Sequence, residues 1–507
     1  MYTDISSAVI NNGYTTPFFK LHCGIRQGCP MSALIFILAV ETLSRTIKHN
    51  RHIKGIKVKS HEIKITQLAD DTTLILKDIT SLQTALNVLY LFQAASGLKL
   101  NYAKTEILQL GNVTYSKSNP FNLKWVKDRV YALGTWFYKD LDQIIQENYK
   151  AKFEIFVSIL KQWQIRKLTL FGKITVLKSL AMSKLNYCIA TLETPEWFTE
   201  QVQNEINKFI WNGKPPKIKY KTAIAKQQDG GLKVPDIHTY ILSQKALWAK
   251  MLFNSKSMHF LPYLEDFLPV MCIRNILNLS INVELLAISI PLFYRQVLYA
   301  WYLVSEKELT CIADVLKEIL WLNKSIMIDN ESVAYDDWYT EGCVQIHDLI
   351  DDNGHFFHYD EFIQRYDINC TQFKYMSLVD AIPKEWKAII KSHRDEIINI
   401  ERSEEIIRTF GLSTKEINKI ASKDIYWKLL KNKIEKPTCI SSWNKKYGLE
   451  FSECEWKQIF KLSKNLTRDV RVIEFQTKII HRIYASNSYV SRFDKTVQEN
   501  CTECNIK

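Results

Sequence analysis

Glycine is scarce in this chain, at 15 of 507 residues, against roughly 7% in an average protein. That scarcity excludes collagen-like and glycine-rich linker architectures and favours helices. Long hydrophobic runs are also missing. The longest largely apolar stretches, such as 34–40 and 285–292, fall well short of the ~18 residues a membrane span needs. The opening Met1-Tyr2-Thr3-Asp4-Ile5-Ser6-Ser7 has neither a basic nor an apolar leader region, so no secretory signal is read. Eleven cysteines are scattered along the chain without the close spacing of a disulfide framework. There is no internal repeat. These absences predict a soluble chain with reduced thiols, intracellular in nucleus or cytoplasm, not secreted, and with no membrane partner.

What is present is ordinary for a folded protein: 47% apolar and 24% charged residues, in a length sufficient for two to four domains. The net charge of +13 is unevenly spread. The first 250 residues hold 34 Lys and Arg against 18 Asp and Glu, a net +16, and the remainder carries −3. A basic first half fits a polyanion held there, and a generic solubility charge fits it about as well.

The periodicity gives an element order. A helix is expected over 32–48, with Pro30 in its first turn or Ser32 as its cap. Its early part, 34–40, is apolar on all sides and is expected to be buried, and Glu41 and Arg45 stand at i,i+4 spacing. Residues 53–59 read as a half-exposed strand and Ser60-His61-Glu62 as a turn. Residues 63–68 and 72–76 read as the arms of an antiparallel hairpin. Leu82, Ala85, Leu86 and Leu89 mark a second helix, capped near Thr80 or Ser81 and closed by Gly97. Strands are expected at 104–110 and 129–137. Helices and strands in this order predict an α+β layer with helices packed on an antiparallel sheet.

From about residue 141 the pattern turns helical and basic, over 149–164, 167–190 and 196–211. Trp163, Phe171, Tyr187, Trp197, Phe209 and Trp211 are interleaved with Lys and Arg. Such a mixture can supply phosphate contacts and stacking surfaces, or it can be helical core with solvated faces. A basic loop follows at 212–221, then a Gly230-Gly231 turn leading into a helix over 237–251. Beyond 251 the chain is helical and aromatic without a chemical motif. The carboxylates of Ile350-Asp351-Asp352-Asn353-Gly354 are read as a solvated loop, because Asn-Gly marks a turn.

The chemistry concentrates at Asp70-Asp71, between the two arms of the hairpin. Adjacent carboxylates beside a sheet are costly unless compensated, and a hard divalent cation is the usual partner. Two-metal phosphoryl transfer needs carboxylates aimed at ions about 3.5–4 Å apart, which a tight turn can provide. Upstream, Arg26-Gln27-Gly28-Cys29-Pro30-Met31-Ser32 opens directly into the apolar helix.

Several segments carry a family resemblance. Arg26-Gln27-Gly28-Cys29-Pro30-Met31-Ser32-Ala33-Leu34-Ile35-Phe36 resembles the RQGCPLSPxLF segment of non-LTR (LINE-type) retrotransposon reverse transcriptases, and Leu68-Ala69-Asp70-Asp71 resembles their aromatic-Ala-Asp-Asp turn. Ser96-Gly97-Leu98-Lys99-Leu100-Asn101-Tyr102-Ala103-Lys104-Thr105-Glu106 is similar to their SGLxxNxxKTE segment. Leu133-Gly134 looks like the strand that supports the primer, and 168–173 and 230–232 resemble the region after the palm.

The resemblance implies an RNA-directed DNA polymerase acting on an RNA template, a DNA primer and deoxynucleotides. Asp70 and Asp71 would hold Mg2+ or Mn2+, and Lys104 would lie on the pyrophosphate side as a possible proton donor. Arg26, Gln27, Gly28, Pro30 and Ser32 would face nucleotide and template, and Leu133 and Gly134 would support the primer. The implied fold is a partial polymerase palm at 1–110, then palm end, connection and a basic thumb-like helical region at 111–250. A helical C-terminal extension at 251–470 and a Cys-containing tail at 471–507 complete it.

Departures from the family pattern shape the expectation of activity. Leu68 replaces the aromatic and Ala33 a proline. The family's first metal-binding aspartate lies well upstream of the Gln-Gly segment, and Asp4 is the sole acidic residue before Arg26. The chain is therefore expected to be truncated at both ends and nearly inactive by itself. Cys501-Thr502-Glu503-Cys504 forms half of a zinc site, completed only in a full-length tail. His481, in a His481-Arg482-Ile483-Tyr484 stretch similar to the family's, is a conceivable third ligand, and two free thiols are the alternative. A non-catalytic RNA- or DNA-binding protein and a non-functional relic are the competing readings.

Overall fold

The computed structural model describes residues 5–21, 28–58, 60–111, 122–253, 264, 267, 290–305, 311–351, 353–397, 420–448 and 450–505. The chain divides into two compact units, Met1–Gly134 and Thr135–Lys507.

The first unit mixes short strands with two long helices. It opens with β1 (Ser6–Ser7), β2 (Ile10–Asn11), β3 (Tyr14–Thr15) and β4 (Phe19–Lys20), in which β1 pairs with β4 and β2 with β3, both antiparallel. Helix α1 spans Pro30–His49, with Pro30 at its start, where a missing N–H costs nothing, and Lys48 and His49 in its last turn facing the negative end of the dipole. The expected Glu41–Arg45 pair forms, with Arg45 Nε 2.9 Å from Glu41 Oε1. β5 (Ile56–Val58) and β6 (His61–Ile63) form one antiparallel ladder, so His61 and Glu62, expected in a turn, lie in a strand. β7 (Ile65–Leu68) and β8 (Asp71–Leu74) form the hairpin.

Helix α2 (Ile79–Ser96) is capped by Asp78, whose carboxylate accepts the Ser81 N–H at 2.7 Å, rather than by Thr80 or Ser81. Gly97 closes it at φ +75, in the left-handed conformation that glycine adopts without penalty. β9 (Glu106–Leu108) pairs with β10 (Lys124–Val126) in parallel, a departure from the expected all-antiparallel sheet. The expected strand over 129–137 is broken into β11 (Arg129–Ala132) and β12 (Thr135–Tyr138), the latter belonging to the second unit, because Leu133 and Gly134 both have positive φ. Mixed helix and short ladders agree with an α+β fold.

The core of this unit gathers Leu43, Ile47, Ile53, Ile65 and Ala85. The early part of α1 departs from expectation. Leu34, Ile37 and Leu38 are 62%, 60% and 70% exposed, and it is the later turns, at Leu43 and Ile47, that face the core. By length and composition α1 is also apolar enough to cross a membrane, although no single run in it reaches that length.

The second unit is helical. Its first core joins α3 (Leu141–Gln164), α4 (Leu170–Val176), α5 (Asn186–Thr191) and α6 (Glu196–Trp211) with the start of α8 (Ile237–Phe253). The expected helix over 167–190 is interrupted. A π-helical turn at Leu177–Ala181 and a 3-10 turn at Met182–Lys184 separate α4 from α5. Between α6 and α8 lies the short α7 (Tyr220–Ala223). A second core contains Ala246, Ala249 and Leu252 of α8 and residues as far as Ile425, so α8 runs through both. Trp338, Phe362 and Tyr375 form its aromatic centre, with Phe362 stacked on Tyr375 at 4.6 Å.

The C-terminal helices return to the first core. The Leu170 N–H donates to Glu474 Oε1 at 3.1 Å, and Phe460 lies against Gly230. Gly231 must be glycine, because a Cβ there would sit 2.2 Å from the Ala225 carbonyl oxygen.

Candidate functional site

Strand register decides what the hairpin presents. Leu68 pairs with Asp71 across a two-residue turn, so only Ala69 and Asp70 are turn residues, and Asp71 opens β8. Ala69 takes a left-handed φ of +52 to make the reversal. Both aspartates are exposed. Neither carboxylate makes a hydrogen bond or ion pair among the described residues. Beside them, Gln67 Nε2 donates to Thr72 Oγ1 at 3.2 Å, bracing the two strands.

This donor set fits a hard divalent cation as far as it goes. Mg2+ is held by one or two carboxylates and keeps other positions for water and phosphate oxygens. Among the described residues, no group of three or more His, Cys, Asp or Glu side chains comes together as a metal site.

The other expected residues of the first unit lie on separate elements. Gly28, at φ +84, leads into Cys29 and the Pro30 start of α1. Ser32 is buried, and its N–H bonds the Cys29 carbonyl at 3.1 Å. Arg26 and Gln27 lie outside the described residues. Lys104 is exposed on the turn before β9, its N–H bonded to the Asn101 carbonyl at 3.1 Å. Leu133, 40% exposed, and Gly134 form a two-residue turn with φ +50 and +78.

Among the described residues, the tail cysteines and His481 do not come together as a metal site. Cys501 is half-buried, and backbone N–H groups of Cys504 and Glu503 lower its thiol pKa. His481 is packed against Cys439 and Phe460. Its Nδ1 lies 3.9 Å from Cys439 Sγ and its ring stacks on Phe460. Burial holds its pKa down to about 4 and pushes the Cys439 thiol up to about 11, so both are neutral near pH 7. In the loop read as solvated, Asp351 is half-buried and its Oδ1 accepts the N–H groups of Asn353 and His355, while Asp352 lies outside the described residues.

The aromatics of the basic helices divide. Phe209 is core, and Trp197 packs edge-on against Phe198 with its Nε1 donating to Gln146 Oε1 at 2.7 Å. Tyr187 is 43% exposed, Arg166 stacks 4.4 Å from the Trp163 ring centroid, and Trp211 lines a surface pocket. Charge periodicity gives no hint of Lys173. It is buried, and its Nζ donates to the carbonyls of Phe209 at 2.9 Å and Ile210 at 3.2 Å, closing the C-terminus of α6.

Comparison with known proteins now bears on this arrangement. Residues 2–137 match the family described as reverse transcriptase (RNA-dependent DNA polymerase). Over 347 residues the chain is 23% identical to the transposon TX1 uncharacterized 149 kDa protein of Xenopus laevis. The chain is related to LINE-type retrotransposon reverse transcriptases. The matched reverse transcriptase segment contains α1, the Asp70–Asp71 hairpin, α2 and the Leu133-Gly134 turn. The similarity to the transposon protein covers 64% of this chain and 26% of that relative. Reverse transcriptases as a family use divalent metals and bind template, primer and nucleotides.

Proposed function

We propose that the hairpin is the metal-bearing element of an RNA-directed DNA polymerase site. There a primer 3′-hydroxyl attacks the α-phosphate of a deoxynucleotide opposite an RNA template. The observation that carries this reading is a pair of exposed carboxylates, Asp70 in the hairpin turn and Asp71 opening β8, that have no partner among the described residues and lie inside the reverse transcriptase match.

Mg2+ or Mn2+ bound there would stabilise charge developing on the transferred phosphate. Asp70 and Asp71 would supply the ion's carboxylate oxygens. Lys104 would hold its ammonium toward the leaving pyrophosphate and deliver a proton. Arg26, Gln27, Gly28, Pro30 and Ser32 would border nucleotide and template, and Leu133 and Gly134 would seat the primer. The thiols of Cys501 and Cys504 would serve zinc only with further ligands.

The family chemistry uses a further aspartate. The hairpin contributes two of the carboxylates that such a site uses. A second reading, nucleic-acid binding without catalysis, is favoured by exposed cations such as Lys214 that have no acidic partner among the described residues.

Primer extension on a poly(A) RNA template with an oligo(dT) primer and Mg2+ tests both readings. Extension that vanishes in Asp70→Ala and Asp71→Ala supports polymerase chemistry. Extension unaffected by both substitutions removes the hairpin from the reaction. Salt-sensitive RNA binding without extension favours the second reading.

A further inference from the structure

A pocket in the second unit is formed where α6 ends and the basic loop turns back toward α7. Its volume is about 280 Å³. That is just below the ~300–1,000 Å³ typical of sites for drug-sized ligands and suits one planar heterocycle. Trp211, Ile218 and Val234 give it apolar walls, and Asn204, Asn207 and Lys214 supply polar groups.

The polar groups differ in what they already do. The nearby Lys208 is engaged by Glu205 at 2.6 Å, and Lys219 and Lys221 both face Glu435. The Tyr220 hydroxyl, at the same pocket, donates to Asp236 Oδ2. Asn204, Asn207 and Lys214 have no such partner among the described residues. The pocket thus joins an indole, two uncommitted carboxamides and one uncommitted ammonium. Carboxamides donate and accept in pairs, as base edges do, an indole offers a stacking face, and an ammonium meets a phosphate.

The frame around them is tied to the helix end by a hydrogen bond. Asn212 takes a left-handed φ of +54 at the end of α6, where its side-chain oxygen accepts from Lys173 Nζ. The loop therefore leaves the helix along a path fixed by the buried lysine.

We infer that this pocket binds one nucleobase of a single-stranded nucleic acid. The base lies against Trp211 with its edge toward Asn204 and Asn207, and an adjacent phosphate meets Lys214. The inference rests on the nucleic-acid partner proposed above and adds a specific contact to it, independent of the hairpin.

The test uses the full chain and twelve-nucleotide single strands, RNA and DNA, carrying 2-aminopurine, whose fluorescence falls on stacking. Trp211→Ala is expected to weaken binding roughly tenfold, the scale of one base–aromatic stack, and to abolish the fluorescence loss. Lys214→Ala is expected to lower the salt slope by about one, and Asn207→Ala to weaken binding several-fold. The last two lie at the surface and keep the test decisive if Trp211→Ala fails to fold. A larger effect on the RNA strand than on the DNA strand assigns the base to RNA, and the reverse assigns it to DNA. Wild-type binding and salt slope in Asn207→Ala and Lys214→Ala overturn the pocket and leave the proposed function standing. Absence of binding by the wild-type chain overturns both.

Discussion

The Asn148 carboxamide pairs with both backbone groups of Trp136. It accepts the Trp136 N–H at 3.0 Å and donates to the Trp136 carbonyl at 2.8 Å, with a further bond to the Ile144 carbonyl at 2.7 Å. A single buried side chain thereby acts as a strand partner for β12 and locks it to α3. Replacing it with leucine removes all three bonds and leaves the Trp136 groups without this partner. Losing the partner of a shielded polar group costs about 1–3 kcal/mol. Asn148→Leu should lower the urea midpoint of the second unit by an amount equivalent to several kcal/mol. An unchanged midpoint would show that the contact contributes nothing.

His481 makes stability depend on acid. Its folded pKa, about 4, lies below the ordinary 6.5 because burial disfavours the imidazolium. As pH falls through 6.5 the unfolded chain takes up the proton first. The stabilisation is therefore complete above about 6.5 and is lost progressively toward 4, amounting to roughly 3 kcal/mol. Thermal unfolding measured at intervals from pH 7 to 4 should show a steeper decline for the wild type than for His481→Phe. Parallel declines would contradict this.

Gly231→Ala should be poorly tolerated. The new Cβ would meet backbone at 2.2 Å, and that carbonyl of Ala225 already accepts the Lys233 N–H at 3.0 Å. Overpacking typically costs about 1–3 kcal/mol, occasionally more. A fall of at least a few degrees in the unfolding temperature is expected, and an unchanged temperature would mean that the turn can shift.

Much of this was legible in sequence, and the gaps have physical causes. The helix expected over 196–211 forms as Glu196–Trp211, where a proline precedes it and an asparagine ends it. The hairpin was legible because apolar arms flank a polar turn. The cap of α2 was not, because Asp78, Thr80 and Ser81 all satisfy the same preference and only geometry selects Asp78. Periodicity placed 34–40 in a core because composition shows how apolar a helix is, not which turns meet a neighbour. Lys173 acts through the carbonyls of Phe209 and Ile210, and Asn148 through both backbone groups of Trp136 on another element, which no local pattern encodes. His481 matched a family stretch, but its partner Cys439 lies 42 positions away.

The central claim, that the Asp70–Asp71 hairpin holds a divalent cation, is tested most directly by counting the ion. Mn2+ titrated into the full chain with primer–template and a deoxynucleotide can be followed by the electron paramagnetic resonance of the free ion. The wild type should take up Mn2+ that the Asp70→Asn, Asp71→Asn double variant binds at least about tenfold more weakly, a difference of about 1.4 kcal/mol. Superimposable isotherms for the two proteins, both with unchanged unfolding temperatures, would contradict the claim.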